Sequence, residues 1–513
     1  MNSDSGETTS VWMATAPEIL TDGKLTEDIR ANVCVVGAGI AGMTTAYLLM
    51  REGKSVVVIE DGQVGRSMTG RTTAHLVNAL DERFYEIERL HGEHGARLAA
   101  ESHSAAIDRI EEIVKTEVID CDFGRLDGYL FTPPDTSKEK LKEELEATHR
   151  AGLTGVEMVD RAPMGDFDTG KCLRFPNQGQ FHPLKYLAGL ARAIRRGGGQ
   201  IFTDTHAAKI EGGDVARIEM SDGCVVTADA VVVATNSPVN DLLVIHTKQA
   251  PYMTYVIGAG VPQGSVTKAL YWDTPDPYHY VRIQTVKNDK DAHDLLIVGG
   301  EDHKTGQADD ANRRFAALER WTRTRFPMIE KIEFQWSGQV MEPVDGLAFI
   351  GRNPLDKDNV FIATGDSGNG MTHGTIAGIL LTDLIMKREN AWETLYDPTR
   401  KTLRAAKEFA LENLNVAAQY TDLVTAGDVD SADKIKPGEG AIIRRGLKKI
   451  AAYRDHAGAL HERSAVCVHL GCIVDWNSKE KTWDCPCHGS RYDARGKVFQ
   501  GPANRDLTEM TEQ

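Results

Sequence analysis

The chain has 513 residues, of which 41% are hydrophobic, 26% charged and 7% aromatic, and its formal net charge is −16. This length exceeds what one hydrophobic core supports, so we expect two or three domains. The composition is that of a globular protein rather than a disordered or fibrous one. The negative charge argues against nucleic acid and against an anionic membrane surface as partners, because both attract a basic face.

The N-terminal segment MNSDSGETTSVWMATAP has no basic stretch followed by an apolar one, so it does not resemble a secretion signal. No apolar run reaches the roughly 18 residues that a membrane-spanning helix needs. We therefore expect no membrane-spanning segment. Cys34, Cys121, Cys172 and Cys224 are scattered in apolar or loop settings, as reduced structural thiols are in a reducing compartment. These features predict a cytoplasmic protein.

Residues 32–60 have the pattern of a β-α-β unit. The apolar run NVCVVG precedes a helical spacing of apolar residues, and a second strand, KSVVVIE, ends on Glu60. Gly37, Gly39 and Gly42 form G-x-G-x-x-G, which allows a tight turn, a close approach of a pyrophosphate and close packing of helix on strand. An acid at the position of Glu60 accepts hydrogen bonds from the hydroxyls of an adenosine ribose. The unit therefore predicts a dinucleotide site and disfavours NADP.

Later segments favour FAD over NAD as the dinucleotide. The segment ADAVVVATNSP has the pattern of a buried parallel strand, and the strand pair before it would lay Ala207 beside an adenine. The segment DGLAFIG leads to another strand and then to a turn with Gly365, Gly368 and Gly370 before a long helix. The N-terminus of that helix would stabilise negative charge on a reduced flavin ring.

The order of these motifs, from VVGAGIAG to ATGDSGNGMTHG, resembles the D-amino-acid oxidase and glycine oxidase class of FAD-dependent oxidoreductases over about residues 30–390. The resemblance implies an α/β Rossmann-like FAD-binding domain interleaved with an antiparallel α+β substrate domain. It also implies contacts of FAD with Ile40, Ala41, Thr235 and Met371.

The expected domain boundaries follow from these motifs and from a linker rich in Asp, Gly, Lys and Pro. We expect an N-terminal extension at 1–30, FAD-binding segments at about 31–80, 180–240 and 340–390, substrate-domain segments at about 81–179 and 241–339, a helical linker at 391–436, and a small all-β domain at 437–513.

The segment SMTGRTTAH contains Thr72 and Thr73 and ends on His75. The resemblance implies that the chain passes the flavin here and that these three residues contact FAD. The dimethylglycine dehydrogenases, a related branch, look similar at this point and join a histidine covalently to the flavin. A covalent bond, simple proximity to the ring and a structural hydrogen bond are the alternatives for His75.

Alternation and aromatic content between about residues 249 and 300 predict antiparallel strands, one face of which would cover the flavin. Tyr252, Tyr278, Tyr280 and Arg282 are the candidates for lining a substrate pocket, the last three because they fall on one strand face. An arginine there would hold a substrate carboxylate with two hydrogen bonds, and a surface position is the alternative. With His75, these residues are the candidates for catalysis.

The last tenth of the chain contains Cys467-x-His469 and Cys485-x-x-His488, separated by 15 residues. Zinc-finger spacing would place two cysteines in one loop and two histidines in the other, but here each loop contributes one of each. Two such loops, facing each other, can give one iron two thiolates and the other two imidazoles, which is the Rieske [2Fe–2S] arrangement. Zinc and a disulfide knot are the alternatives.

The segments CVHLGC and CPCHGSRYD resemble the Rieske family, and the resemblance extends over residues 437–513. It implies a disulfide between Cys472 and Cys487 and hydrogen bonds from Ser490 and Tyr492 to the cluster and its ligands. Such hydrogen bonds raise the reduction potential. The segment GPANRDL resembles the proline loop that covers the cluster in this family.

Together the motifs predict an FAD-dependent dehydrogenase that oxidises the C–N bond of an amine or amino acid. Electrons would pass from FAD to the Rieske cluster and on to an external acceptor, which is a protein or a quinone. One alternative is an electron-transfer protein whose flavin is reduced by a partner and which has no small-molecule substrate. In another, electrons flow from the cluster to the flavin.

Overall fold

Two large and two small β-sheets organise the chain. The computed structural model describes residues 5–133, 137–165, 167–240, 244–287, 292–401 and 403–510. The strands in these ranges are β1 (Ile29–Val36), β2 (Val56–Ile59), β3 (His75–Leu76), β4 (Gly124–Phe131), β5 (Glu157–Val159), β6 (Cys172–Gln180), β7 (Gln200–Phe202), β8 (Ala207–Glu211), β9 (Ala216–Met220), β10 (Val225–Val233), β11 (Gln249–Val261), β12 (Leu270–Asp273), β13 (His279–Lys287), β14 (Ala292–Lys304), β15 (Lys331–Pro343), β16 (Phe349–Arg352), β17 (Val360–Thr364), β18 (Glu439–Arg445), β19 (Lys448–Arg454), β20 (Leu460–Ser464), β21 (Asp475–Asn477), β22 (Thr482–Asp484), β23 (Arg491–Asp493) and β24 (Val498–Gln500). The helices are α1 (Val11–Thr15), α2 (Ile40–Arg51), α3 (Phe84–Thr116), α4 (Glu139–Arg150), α5 (Pro183–Arg196), α6 (Ala311–Arg325), α7 (Gly370–Ile385), α8 (Glu393–Tyr396) and α9 (Ala406–Gln419).

The first large sheet has the strand order β16-β17-β10-β1-β2-β7, and the hairpin of β8 and β9 extends it beside β10. Its centre is parallel, since Val33 of β1 pairs with Ala230 on one side and with Val56 on the other. The carboxyl-terminal parts of these strands are β-branched and buried, as expected of parallel strands covered by helices. Helix α2 packs against α5 and α7 on this sheet.

The second large sheet has the strand order β15-β11-β14-β13-β12-β4-β6-β3, with β5 beside β6. Its central strands β11, β13 and β14 are antiparallel. Tyr255 of β11 packs on Phe315 of α6 on one face. Its neighbours Thr254 and Val256 line a cavity on the other face, because side chains alternate along a strand.

Helix α3 is the longest helix of the described ranges, with 33 residues, and it bends at Gly92, where φ is 76°. Charged residues occupy much of its surface, and its buried residues recur along one side. None of the helices in the described ranges combines the length and apolarity that crossing a bilayer requires.

The C-terminal domain contains two antiparallel sheets, β18-β19-β20 and β21-β22-β23-β24. Trp483 and Tyr492 are fully buried in its core. Val429 forms a β-bridge with Ile443 of β18, so strand pairing reaches into the segment expected as linker. The parallel sheet with helices, the antiparallel sheet and this small all-β domain confirm the predicted fold class.

A buried ion pair joins the C-terminal domain to the rest of the chain. Nη1 of Arg71 lies 3.3 Å from Oε1 of Glu480, and neither side chain is more than 1% exposed. Glu480 also accepts hydrogen bonds from the amide of Thr8 at 3.0 Å and from the hydroxyl of Ser337. Arg71 donates to the hydroxyl of Ser5 and to the carbonyl oxygen of Ser337. Ser5 and Thr8, which belong to the segment expected as an N-terminal extension, therefore lie inside the domain interface.

Replacing Glu480 by Gln leaves the charge of Arg71 buried without a counter-ion. We expect the Glu480→Gln variant to lose about 3 kcal/mol or more of unfolding free energy, measured by denaturant unfolding of the purified protein. The matched control is Glu462→Gln, which weakens the partly exposed pair with Arg445 and should cost at most about 1 kcal/mol. Equal losses in the two variants would contradict the role given to the buried pair.

Candidate active site and metal centre

A cavity of about 580 Å³ lies between the two large sheets. The segments that follow β1, β2, β10 and β17 line one part of it, and β11, β13 and β14 line another. Gln500, Gly501 and Asn504 of the C-terminal domain also line it. The cavity is therefore built by all three parts of the fold.

The glycine-rich turn brings the N-terminus of α2 against this cavity. Gly37 has a φ of 104°, which L side chains rarely adopt, and a Cβ atom there would lie 2.4 Å from the carbonyl oxygen of Ala234. A Cβ atom on Gly42 would lie 1.9 Å from the carbonyl oxygen of Gly37. Both positions thus require glycine, and the turn leaves room for a pyrophosphate beside Gly39, the N-cap of α2.

Glu60 lines the same part of the cavity. Its Oε2 accepts a hydrogen bond of 2.6 Å from the amide of Ala38, and its Oε1 accepts one of 3.2 Å from the amide of Gly62. These bonds hold the carboxylate at the carboxyl edge of the parallel sheet. Nearby, Nδ2 of Asn236 is buried and has no hydrogen-bond partner among the described residues. A bound ligand would satisfy this donor, so the residues present fit a dinucleotide.

Most of the residues that the sequence assigns to FAD meet in this cavity. Its lining includes Gly37, Gly39, Ile40, Ala41, Glu60, Thr72, Thr73, His75, Ala207, Thr235, Gly365, Gly368, Gly370 and Met371. Gly42 is not in the lining, because it lies behind Gly37 and serves the packing of α2 on the sheet.

His75 lines the cavity, and both of its ring nitrogens have partners within the protein. Nδ1 lies 3.0 Å from the hydroxyl of Thr73, and Nε2 lies 3.4 Å from the carbonyl oxygen of Val281. Burial and the nearby charge of Arg282 lower the pKa of His75 to about 3, so the ring is neutral. These contacts favour the structural alternative for this histidine.

Two of the four residues that the sequence assigns to a substrate pocket line the cavity, and two do not. Tyr278 and Tyr280 line the cavity, but Tyr252 and Arg282 do not. The hydroxyl of Tyr252 instead lies 3.4 Å from a carboxylate oxygen of Glu412 in α9.

Arg282 shares a strand face with Tyr280, but its guanidinium is committed to the protein. Nη1 donates to the carbonyl oxygens of Ala74 at 2.8 Å and of Phe181 at 3.0 Å, and the side chain is fully buried. Arg282 therefore holds the segment around Ala74 in place. Its guanidinium is not positioned to bind a substrate carboxylate, although the sequence led us to expect this.

The lining also contains acids that the sequence patterns do not single out, and two of them, Asp302 and Asp81, interact with Tyr278. Asp302 of β14 has its pKa raised to about 7, because burial outweighs the hydrogen bond from Thr254. Asp81 also has a raised pKa, caused by burial, and its Oδ2 lies 3.3 Å from the hydroxyl of Tyr278. The sequence predicts that β14 ends at Gly300, whereas the strand continues to Lys304 and carries Asp302 into the cavity wall. Alternation along the strand gives no signal for this residue, because the pairing of β11 with β14 shifts register between Met253 and Tyr255.

The four predicted cluster ligands lie on two neighbouring loops. Cys467 and Cys485 are buried free thiols, and the rings of His469 and His488 lie 5.1 Å apart. Hydrogen bonds from Cys485, Tyr492 and Ser490 lower the pKa of Cys467 to about 6, whereas the hydrogen bond to Cys467 and burial raise the pKa of Cys485, so Cys467 is the sulfur that more readily forms the thiolate that iron binds. Burial and the neighbouring His469 lower the pKa of His488 to about 4, which keeps it in the neutral form of a ligand. The donor set fits a Rieske cluster.

Cys472 and Cys487 form a disulfide that joins the two loops. Their sulfurs and that of Cys485 all lie within 4.8 Å of one another. This trio is not a second metal site, because the two disulfide sulfurs offer no thiolate. The hydroxyl of Tyr492 lies 3.3 Å from the sulfur of Cys467, and the hydroxyl of Ser490 accepts a hydrogen bond from the amide of Ala503.

Two parts of the chain, one large and one small, match known protein families. The FAD dependent oxidoreductase family matches residues 32–384, and the Rieske [2Fe-2S] domain family matches residues 426–511. The chain therefore belongs to the FAD-dependent oxidoreductases and carries a C-terminal Rieske domain. It is an oxidoreductase with two cofactors, FAD and a [2Fe–2S] cluster, as the sequence predicts.

Known proteins share one or both of these parts. YhfW of Bacillus subtilis (strain 168), described as a Rieske 2Fe-2S iron-sulfur protein, is 32% identical over 98% of each chain. The gamma-glutamylputrescine oxidoreductase of Escherichia coli (strain K12) is 28% identical over 74% of this chain and 89% of its own. The crystal structure of glycine oxidase from Geobacillus kaustophilus covers 73% of this chain and 99% of its own with a TM-score of 0.60 and 18% identity, so it shares the fold.

Substitution of a cluster ligand should separate the two cofactors. We expect Cys467→Ser and His488→Cys to abolish the Rieske signal in electron paramagnetic resonance (EPR) spectra of the reduced protein, while the ratio of FAD to protein stays at that of the parent. The reason is that neither residue lines the cavity that fits FAD. Cys224→Ser, at a free cysteine outside both sites, should retain both cofactors. A normal Rieske signal in either ligand variant would rule out the assignment.

The partners of His75 predict that FAD is held without a covalent bond. Precipitation of the protein with acid should leave the yellow flavin in the supernatant, and absorbance spectra of both fractions measure the partition. Flavin that stays with the precipitated protein, and that a His75→Ala variant no longer retains, would show the covalent alternative instead.

Proposed function

We propose that the protein is an FAD-dependent dehydrogenase that oxidises the C–N bond of an amine or amino acid. Its electrons pass to the Rieske cluster and then to an external acceptor, a protein or a quinone. The observation that carries this proposal is the position of Gln339. Its side chain lines the FAD cavity, and its Nε2 donates a hydrogen bond of 3.0 Å to the carbonyl oxygen of Gly489, the residue after His488.

Gln339 is fixed between the two cofactor sites. Its Nε2 also lies 3.2 Å from the hydroxyl of Thr305, its Oε1 accepts a hydrogen bond from Gln500, and the residue is only 2% exposed. One side chain and one peptide group thus connect the cavity wall to a ligand loop of the cluster. A fixed contact of this kind supports transfer within one molecule, because it replaces a bimolecular encounter.

The imidazole side of the cluster site faces the FAD-binding half. The ring of His246 lies 4.8 Å from that of His469 and 6.0 Å from that of His488. His246 is only 2% exposed, so it is enclosed between the domains. This orientation supports entry of electrons from the FAD side.

The chemistry divides between the cofactors and the chain. When bound, FAD accepts a hydride from the carbon that carries the nitrogen, and a Rieske centre accepts one electron at a time. Trp272, Tyr278 and Tyr280 supply apolar surface for a substrate and limit the access of water. Asp302, with a pKa of about 7, is suited to take a proton from a substrate nitrogen.

Two further observations support the details of the proposal. The E. coli relative is named for an amine, gamma-glutamylputrescine, which supports a C–N bond as the bond that is oxidised. Cys34, Cys121, Cys172 and Cys224 are all free, which supports the cytoplasm as the compartment.

An anaerobic titration tests the proposal. The protein is mixed without oxygen with a panel of amines, amino acids and N-methylated amino acids, and flavin absorbance and the Rieske EPR signal are recorded together. We expect one class of compound to bleach the flavin, followed by appearance of the signal of the reduced cluster.

The outcomes of this titration separate the candidate functions. A flavin that no small molecule reduces, but that a partner reductase does reduce, would favour the electron-transfer protein without a substrate. A cluster that stays oxidised beside a reduced flavin would contradict the transfer between them. The Cys467→Ser variant is the control, because its flavin should still bleach without any EPR signal.

A further inference from the structure

One end of the cavity combines carboxylates with aromatic rings. We call this the substrate end, and it consists of Asp81, Trp272, Tyr278, Tyr280 and Asp302, all of which line the cavity. The rings of Tyr278 and Tyr280 lie 5.6 Å apart, and the hydroxyl of Tyr280 lies 2.8 Å from that of Thr254. Carboxylates and the faces of aromatic rings both attract cations.

Asp302 has an unsatisfied acceptor at this end. Its Oδ1 is buried and has no hydrogen-bond partner among the described residues. Buried polar atoms are nearly always paired in native proteins, so an unpaired carboxylate oxygen in a cavity wall indicates a donor supplied by the ligand. An ammonium group supplies both the donor and the compensating charge.

The cavity lining has few positively charged side chains that could bind a substrate carboxylate. Within the described residues, the lysine and arginine of its lining are Arg71 and Lys497. The guanidinium of Arg71 is enclosed in the ion pair with Glu480 and in hydrogen bonds within the domain interface. Lys497 is exposed on the turn before β24 of the C-terminal domain. That domain meets the cavity wall near Ala207, the residue expected beside the adenine, because Asn504 donates to the carbonyl oxygen of Ala207.

We infer that the substrate is an amine that carries no carboxylate next to its nitrogen, and that Asp302 is the residue that selects it. The inference rests on the proposed function, because it names the class of amine that the same cavity oxidises. An α-amino acid would bring its carboxylate toward Asp302 and Asp81 without a counter-charge. Such like-charge contacts discriminate strongly between ligands in a site of low dielectric constant.

Three small ligands built on a fully substituted carbon test the inference by binding alone. They are tert-butylamine, a cation; 2-aminoisobutyrate, in which a carboxylate replaces one methyl group of that amine; and pivalate, in which a carboxylate replaces the amino group. In the two amines, the carbon that bears the nitrogen carries no hydrogen, so neither can be oxidised. Binding to the FAD-loaded protein is measured by titration calorimetry and by perturbation of the flavin spectrum.

We expect tert-butylamine to bind, and 2-aminoisobutyrate and pivalate to bind about tenfold more weakly or not at all. In Asp302→Asn, a neutral residue of the same shape, the affinity for tert-butylamine should fall about tenfold or more while FAD content is unchanged. Glu330→Gln removes one negative charge from the exposed surface outside the cavity and should leave the affinity at that of the parent.

The affinity should also depend on pH in a defined direction. The carboxylate form of Asp302 is the one that binds a cation, so the affinity for tert-butylamine should rise as pH increases through about 7. In Asp302→Asn the part of this dependence near pH 7 should be lost, and only the contribution of Asp81, whose pKa burial also raises, should remain. The other titratable or charged groups that act on Asp302 or face it are Asp81, Tyr278, Tyr280, His279 and Arg314, and they are the same in both proteins.

The results that overturn the inference differ from those that overturn the proposed function. If 2-aminoisobutyrate binds as tightly as tert-butylamine, if none of the three ligands binds, or if Asp302→Asn binds the amine like the parent, the inference is wrong. Reduction of the flavin by α-amino acids in preference to simple amines would overturn it too, although the protein would still be a dehydrogenase. A flavin that no amine or amino acid reduces would overturn the proposed function itself.

Discussion

The buried ion pair between Arg71 and Glu480 is the constraint on which the arrangement of the two cofactor sites depends. Removing two charges from water is costly unless each keeps its partner and its remaining hydrogen bonds are satisfied. Here the pair is completed by Ser337 of the FAD half and by Ser5 and Thr8 of the N-terminal segment. Separation of the domains would expose or orphan these groups together, so the network favours the docked position of the C-terminal domain.

That position makes the cavity and the cluster site parts of one structure. Arg71 belongs to the same segment as Thr72, Thr73 and His75, which line the cavity, while Glu480 lies on the domain that carries the cluster ligands. Gln339 then reaches Gly489 beside His488, and the ring of His246 lies beside those of His469 and His488, the predicted imidazole ligands. Tethering alone would raise the local concentration of the acceptor, but the docked interface also fixes the path between the sites.

Local patterns predicted the parts of the site that depend on short stretches of chain. Gly37, Gly39 and Glu60 could be assigned because one β-α-β unit determines their positions, and the cluster ligands could be proposed from the spacing within two loops. Strand alternation was less reliable: it gives Arg282 the same face as Tyr280, but the length of the arginine side chain carries its charge to the carbonyl oxygen of Ala74. Asp302 was missed because β14 continues beyond the expected end. The partnership of Arg71 with Glu480, 409 residues apart, leaves no signature in either segment.

The most direct measurement is the rate at which the cluster is reduced after rapid photoreduction of the flavin in the intact protein without oxygen. The docked arrangement predicts a first-order rate that does not change when the protein is diluted, because donor and acceptor belong to one folded chain. A rate that falls in proportion to protein concentration, or a cluster that stays oxidised, would contradict the account.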